Sequence, residues 1–395
     1  MLFLAQIIFR NIVFRRYSAL LSILLTAFST ATVFLSGQIA RESESHLDEN
    51  AKGLHFVVGA KGSPLQLILS SVFHFDNPTG NISFRKADSI ARSPFVETAV
   101  PLCIGDNYAG YRIIGTNHNF FSFYGLSCAE GDFFSDEMQV VLGSAAAKNL
   151  ALKIGDKFKG LHGLAESEEG HEHAFVVKGI LNPKNSILDN LILTPVESYW
   201  HVHEHHAEGE KVETEKEITA LLVRAKGTAG ALMMPNIINK NSELLAASPA
   251  SEVTKLKTLI SGGTDVLYYF SVGIVFIALV SILFSFLSGF RERRFDLALL
   301  RINGASAAEI IFIVVGEAVL VCLTGIFFGV AAHQVFVYSA NDWLQNALSL
   351  RLQNFSYVQD DYFFALLLTL TAFLAALLPA FWASRADLTE VLKKS

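Results

Sequence analysis

Charge is scarce in this chain. Only 17% of its 395 residues are Asp, Glu, Lys or Arg, against roughly 25% in soluble domains. That charge sums to −6, so the basic face of a nucleic-acid binder is missing and no nucleic-acid partner is expected. Catalytic signatures are missing as well. The sequence holds no G-x-x-x-x-G-K-[ST] phosphate loop, no H-E-x-x-H, no C-x-x-C and no G-x-S-x-G. No enzymatic activity and no resident cofactor are therefore expected of this chain itself.

The apolar excess, 51% of the residues with a mean hydropathy of +0.39, is concentrated. Four windows, 18–40, 266–288, 310–337 and 362–382, contain no Lys or Arg and reach the roughly 20 apolar residues that span a bilayer. The expected fold class is an α-helical membrane protein with four transmembrane helices and a large α+β extracytoplasmic domain inserted between helices 1 and 2. The parts are a lead-in 1–17, helix 1 at 18–40, the external domain 41–264 and helix 2 at 265–288. A cytoplasmic segment 289–308, helix 3 at 309–337, an external loop 338–361, helix 4 at 362–382 and a tail 383–395 follow. Arg10, Arg15 and Arg16, then Arg291, Arg293, Arg294 and Arg301, then Arg385, Lys393 and Lys394 flank the spans on one side. The positive-inside rule places both termini on the cytoplasmic side. The first apolar run exceeds the 7–15 residues, roughly, of a signal core, so a retained anchor is expected. "LFLAQIIF" ahead of it suits an amphipathic helix on the inner face.

In the insert, "HFVVGAKGSPLQLILSSVF" predicts a strand, a turn and a helix. "SFRKADSIARSPFV" predicts a helix with Ser83 as N-cap candidate, and "YRIIGTN", "MQVVLGS" and "FVVKGIL" predict short strands stopped by glycine. Cys103 and Cys128 lie here, where a disulfide is permitted, though buried thiols are the simpler expectation. Histidine is unusually dense. Seven of the twelve stand in two clusters: His162, His171 and His173, then His201, His203, His205 and His206, with Glu166, Glu168, Glu169, Glu172 and Glu204 interleaved. Imidazole with carboxylate suits Zn²⁺. The x-H-x-H alternation fits one side of a strand, and His201 with His205 would instead share a helical face. A solvated loop without a site is the simpler alternative. The Gly262-Gly263 pair suits a flexible joint before the second span.

Glu317 and His333 are ionisable groups inside the third span, where such groups usually face protein. Glu317 is expected to hydrogen-bond across a helix interface. Gly325 and Gly329 in "GIFFG" form a G-x-x-x-G surface for close helix packing.

Between spans two and three lies "FRERRFDLALLRINGAS". Phe295, Ala298, Leu299 and Ile302 share one helical face, with Arg294 and Arg301 on its flanks. Gly304 suits a left-handed C′ stop, and Ser306 with Glu309 makes a capping box. A short helix, a tight stop and a fresh helix are expected.

This run, R-x-x-x-F-D-L-A-L-L-R-I-N-G-A-S, resembles the cytoplasmic element R-x-x-E-I-G-x-L-x-A-L-G-A-S of the FtsX/MacB/LolC-type ABC transporter permeases. "PAFWASRADLTEVL" is similar to that family's C-terminal motif. Asp296, Asn303 and Leu388-Thr389 depart mildly from its pattern. The resemblance implies a bacterial inner-membrane permease subunit with a MacB-like periplasmic domain. It also implies partners: a separate ABC ATPase, a second permease copy (identical or related), and a periplasmic protein or lipoprotein. Arg291, Arg294, Phe295, Asp296, Leu299, Arg301, Gly304 and Ser306 would couple to the ATPase. Work outside, on a lipoprotein, lipid or peptide, would follow by mechanotransmission. Two other functions remain open: a zinc-responsive membrane sensor, and a scaffold for an extracytoplasmic partner.

Overall fold

The computed structural model describes residues 2–162, 173–204, 215–348 and 352–384. They form two compact units, divided at Ser43/Glu44 and at Thr258/Leu259. The chain opens with α1 (Leu2–Phe14) and α2 (Arg16–Ala51). The insert follows as β1 (Phe56–Ala60), α3 (Pro64–Ser71), β2 (Ile82–Ser83), α4 (Phe84–Ala91), β3 (Val96–Tyr108), β4 (Tyr111–Thr116) and α5 (Asn119–Tyr124). It continues through β5 (Cys128–Gly131), β6 (Gln139–Leu142), α6 (Ser144–Leu150), β7 (Lys157–Phe158), β8 (Leu161–His162) and β9 (Phe175–Leu181). It closes with β10 (Ile192–Pro195), α7 (Val196–Glu204), β11 (Glu217–Ile218), β12 (Ala220–Ala225), α8 (Gly227–Asn241) and β13 (Leu244–Ala247). The last helices are α9 (Pro249–Ile302), α10 (Ala307–Leu348) and α11 (Gln359–Ser384).

In the insert, most strands join one sheet in the order β13-β1-β12-β3-β4-β10-β6-β9-β5, with β7 on β9 and β8 on β3. Neighbours are mostly antiparallel, but β10 runs parallel to β4 and β6 parallel to β9. The strand sequences explain why both faces are covered. Phe56 and Val58 enter one apolar cluster with Ala87, Met234 and Ile238 of α4 and α8, while Val57 enters another with Leu67 and Ile68 of α3. A strand with helices on both sides therefore reads as a continuous apolar run, not an alternating one. Ser63 caps α3 by accepting from the Gln66 amide at 3.4 Å, with Pro64 in the first turn. Ser83 holds the N-cap position of α4 but does not cap it, because its hydroxyl donates to Glu215 Oε1 at 2.5 Å. Cys103 is buried in β3, Cys128 sits on β5, and both are free thiols.

Among the described residues, four helices are long and apolar enough to cross a membrane: Arg16–Ala51, Pro249–Ser281, Ala307–Asn341 and Gln359–Phe381. α10 packs against α2 and α11, and its Cys322 cluster also takes in Val275 and Leu279 of α9. Ala318 and Cys322 meet Ala372, Ala376 and Ala380 of α11. The Gly325/Gly329 surface lies on α2, where a Cβ at Gly325 would come within 2.6 Å of Thr26 Cβ and one at Gly329 within 2.7 Å of the Ala27 carbonyl oxygen. Apposed small residues allow backbones this close. The α2 face that receives them is Ser22, Thr26, Ser29 and Thr30. Thr26 Oγ1 donates to the Ser22 carbonyl and Thr30 Oγ1 to the Thr26 carbonyl, each at 2.8 Å, so these hydroxyls are satisfied within their own helix.

Two expectations about boundaries are corrected. The segment from 289 to Ile302 is not a separate short helix, since α9 runs unbroken from Pro249. Gly262 and Gly263 lie within that same helix rather than at a joint. Each glycine costs about 1 kcal/mol of helix propensity relative to alanine, yet the helix runs through both.

Candidate functional site

The end of α9 is closed tightly. Gly304 has φ +98°; its amide donates to the Arg301 carbonyl at 3.1 Å, and the Ala305 amide to the Leu300 carbonyl at 3.0 Å. These two bonds are the Schellman pattern, which consumes the last carbonyls of the helix. Two residues on, the expected capping box forms. The Ser306 amide donates to Glu309 Oε2 at 2.7 Å, and the Glu309 amide donates to Ser306 Oγ at 3.2 Å. The chain therefore leaves one long helix and enters the next through about four ordered residues, with no slack to absorb a displacement. On the α9 side of this joint, Leu299 is 47% and Ile302 54% exposed. Arg291, Arg294, Phe295 and Asp296 belong to the same helix by backbone, and Arg301 is half-buried near its end.

The structure supplies partners that spacing alone could not. Glu317 is buried and lies 3.9 Å from the Arg15 guanidinium, at the break between α1 and α2. The expected contact across a helix interface is thus an ion pair. Gly316, one residue earlier, approaches Ile8 of α1. At the far end of the bundle, Arg41 pairs with Asp361 at 3.1 Å. Glu42 accepts from Gln38 at 2.8 Å and from the Gln353 amide at 3.0 Å. None of these four side chains was singled out by sequence, although Arg41 and Asp361 are charges at span ends. His333 is buried, with Phe34 and Tyr357 rings about 6 Å away.

In the external unit, four of the seven clustered histidines are described: His162 on β8, His173 just before β9, and His201 and His203 on α7. His201 and His203 are on the helix α7, not on an extended strand. His162 on β8 is the register partner of Asp106 on β3. His203 Nε2 lies 3.5 Å from Asp106 Oδ1, its Nδ1 is 2.8 Å from the Tyr199 carbonyl, and its ring stacks on Tyr199 at 4.2 Å. Burial draws the His203 pKa down, but the Asp106 carboxylate and the Tyr199 carbonyl more than offset it and hold it above its ordinary value. Nearby, burial first and the Glu197 and Asp106 charges second push the Cys103 thiol up. His173 meets His201 with ring centroids 5.0 Å apart, and His201 Nδ1 is 3.9 Å from Glu137 Oε2. Among the described residues no group of three His, Cys, Asp or Glu side chains is already gathered as a metal site. His171, His205 and His206 lie outside the described residues, as does the second half of the C-terminal motif.

Comparison with known proteins joins the two units. A family model described as the MacB-like periplasmic core domain matches residues 19–232, and one described as FtsX-like permease C-terminal matches residues 268–387. No curated protein sequence matches the chain. Among solved structures, the periplasmic region of MacB from Actinobacillus actinomycetemcomitans is similar at 11% identity and TM-score 0.36, over 53% of this chain and 97% of that one. The extracellular domain of the noncanonic ABC-type transporter YknZ from Gram-positive bacteria is similar at 10% identity and TM-score 0.31, over 49% and 99%. A domain of a putative permease protein from Porphyromonas gingivalis is similar at 14% identity and TM-score 0.27, over 49% and 85%.

Proposed function

We propose, from the premise that this chain belongs to the FtsX/MacB-type ABC transporter permease family, that it is a membrane subunit driven by a separate ATPase polypeptide. The observation that carries this is the order of the two matches: a periplasmic core ending near residue 232, then a permease C-terminal region beginning at residue 268, on a chain with four span-length helices. The permease itself is not an enzyme. It lies in the bacterial inner membrane with both termini and the Gly304 joint on the cytoplasmic side.

The docking element is the end of α9. Leu299 and Ile302 are exposed and apolar, and the sequence places Arg291, Arg294 and Arg301 in the same stretch of helix. When ATP closes a pair of ATPases, their cleft displaces this helix end. The Schellman stop and the capping box pass the displacement to α10 without slack. α9 and α2 are each continuous helices that cross the division between the units, so a shift of either reaches the external domain along its axis. The α9 span is only 12% buried, which suits a second permease copy, identical or related, packed against it.

The work is done on a lipoprotein, lipid, peptide or partner protein outside the membrane. The sensor and scaffold alternatives are not favoured, because family membership accounts for the membrane unit and the insert together. Introducing Leu299→Cys for cross-linking tests the docking. A nucleotide-hydrolysing protein should be captured at that position and not by a cysteine placed at the buried Ala318. Equal capture at both, or none at Leu299→Cys, would refute it.

A further inference from the structure

The far end of the membrane bundle, away from the Gly304 joint, is fastened by side chains. Residues 352–358, between α10 and α11, form neither helix nor strand. Their backbone is bonded instead to side chains of three helices. From α2, Gln38 Nε2 donates to the Gln353 carbonyl at 2.8 Å, and Glu42 accepts from the Gln353 amide at 3.0 and 3.1 Å. From α10, the Asn341 side-chain amide exchanges two bonds of 2.9 Å with the Leu352 backbone, and Gln334 Oε1 accepts from the Phe355 amide at 3.2 Å. From α11, Asp361 Oδ2 accepts from the Val358 amide at 3.0 Å and from Arg41 of α2 at 3.1 Å. Gln38, Glu42 and Asp361 are buried, so releasing the segment would strip donors from two carboxylates that water does not reach freely.

The middle of the bundle holds differently. There α10 rests on α2 through Gly325 and Gly329, and the Thr26, Ser29 and Thr30 hydroxyls bond within α2. Such a face sets how closely two helices approach, but a hydroxyl satisfied in its own helix supplies no directional bond against sliding. The directional bonds lie at the far end, about 50 Å along α10 from the joint at 1.5 Å per residue. We propose that residues 352–358 are a clasp that makes α2, α10 and α11 one body, with Gln38, Glu42 and Asp361 as its positioning residues. A displacement entering α10 at the Gly304 joint then leaves through α2 instead of being lost as slip between helices. That use rests on the ATPase-driven reading of the permease; the clasp itself does not.

Amide exchange on the full chain in detergent reads the clasp. Glu42→Ala leaves the acceptors of the Leu352 and Phe355 amides, on Asn341 and Gln334, untouched. Separate bonds would therefore keep the parent's exchange at both positions. A clasp that closes as a unit should exchange both about tenfold faster, the loss expected for one hydrogen bond to a buried charge. Glu42→Gln, which keeps an acceptor for the Gln353 amide, should restore most of the protection. Parent-like exchange at Leu352 and Phe355 in Glu42→Ala would overturn the proposal. If that variant does not fold, Gln38→Ala, which removes the other bond from α2 to the segment, is held to the same criterion. Movement as one body is read by spin labels at Phe28→Cys on α2 and Leu366→Cys on α11, both exposed, with Cys128 replaced by serine. Their separation should be single and should not change when the copurified ATPase binds ATP. A separation that shifts with nucleotide would make the segment a latch that opens, and would equally overturn the proposal. A chain that brings down no ATPase would count against the coupling alone, and the exchange result would still decide the clasp.

Discussion

Replacing Gly304 probes the joint through backbone conformation alone. Its φ of +98° lies where L-residues are rarely found, and a Cβ built there meets nothing within 4 Å. Size therefore plays no part. Ala should cost about 1–2 kcal/mol by forcing a β-carbon into a left-handed backbone, a factor of about 5–30 in the population of the closed joint. Asn, which tolerates such angles, should cost less, and Val, branched at Cβ, should cost most. The order Gly, Asn, Ala, Val is thus predicted for two readouts on the reconstituted complex. One is amide exchange at Gly304 and Ala305, whose hydrogen bonds to Arg301 and Leu300 close the helix. The other is ATP turnover stimulated by the permease. Exchange rates for Gly304→Ala equal to those of the parent, or Asn faring worse than Ala, would refute the conformational account.

Three further outcomes follow from the packing. Gly325→Leu should separate α10 from α2, because even a Cβ would stand 2.6 Å from Thr26; a loss of about 1–3 kcal/mol should appear in thermal unfolding in detergent, and an unchanged midpoint would contradict the contact. Arg15→Ala should destabilise the membrane unit by about 3 kcal/mol by removing its ion pair with buried Glu317, and a double-mutant cycle with Glu317→Leu should show the two sites coupled; additive effects would contradict the pairing. His203 gives a pH dependence of defined sign. Its folded pKa is raised, so the stability it contributes is complete below its unfolded value of about 6.5 and is lost as pH rises through the folded one. Melting of the external unit should therefore soften over that interval, and Asp106→Asn should flatten the profile; a stability that rises with pH across it would reverse the assignment.

The four spans and the stops around Gly304 were legible because each rests on local rules: apolar length, a left-handed glycine, a Ser/Glu box. Strands such as β1, β4, β6 and β9 were legible from β-branched runs ended by glycine. Helix length was not. Hydropathy marks where "SGQIARESESHLDENA" ceases to be apolar, and says nothing of α2 continuing to Ala51, which is set by helix-forming polar residues without a stop signal. The same blindness hid α9, where two glycines suggested a break and the helix nevertheless runs through them. Long-range pairs were beyond reach for a different reason. Nothing in the spacing of Arg15 and Glu317, of Arg41 and Asp361, or of His173 and His201 encodes their meeting, which depends on how helices and strands are stacked.

Copurification tests the central claim most directly. The chain, extracted under mild detergent, should bring down an ATPase whose hydrolysis falls sharply when Leu299→Arg and Gly304→Pro are introduced together, while the external unit keeps its melting behaviour. A chain that isolates without any nucleotide-hydrolysing partner, or a complex whose assembly and turnover ignore that double substitution, would contradict the account.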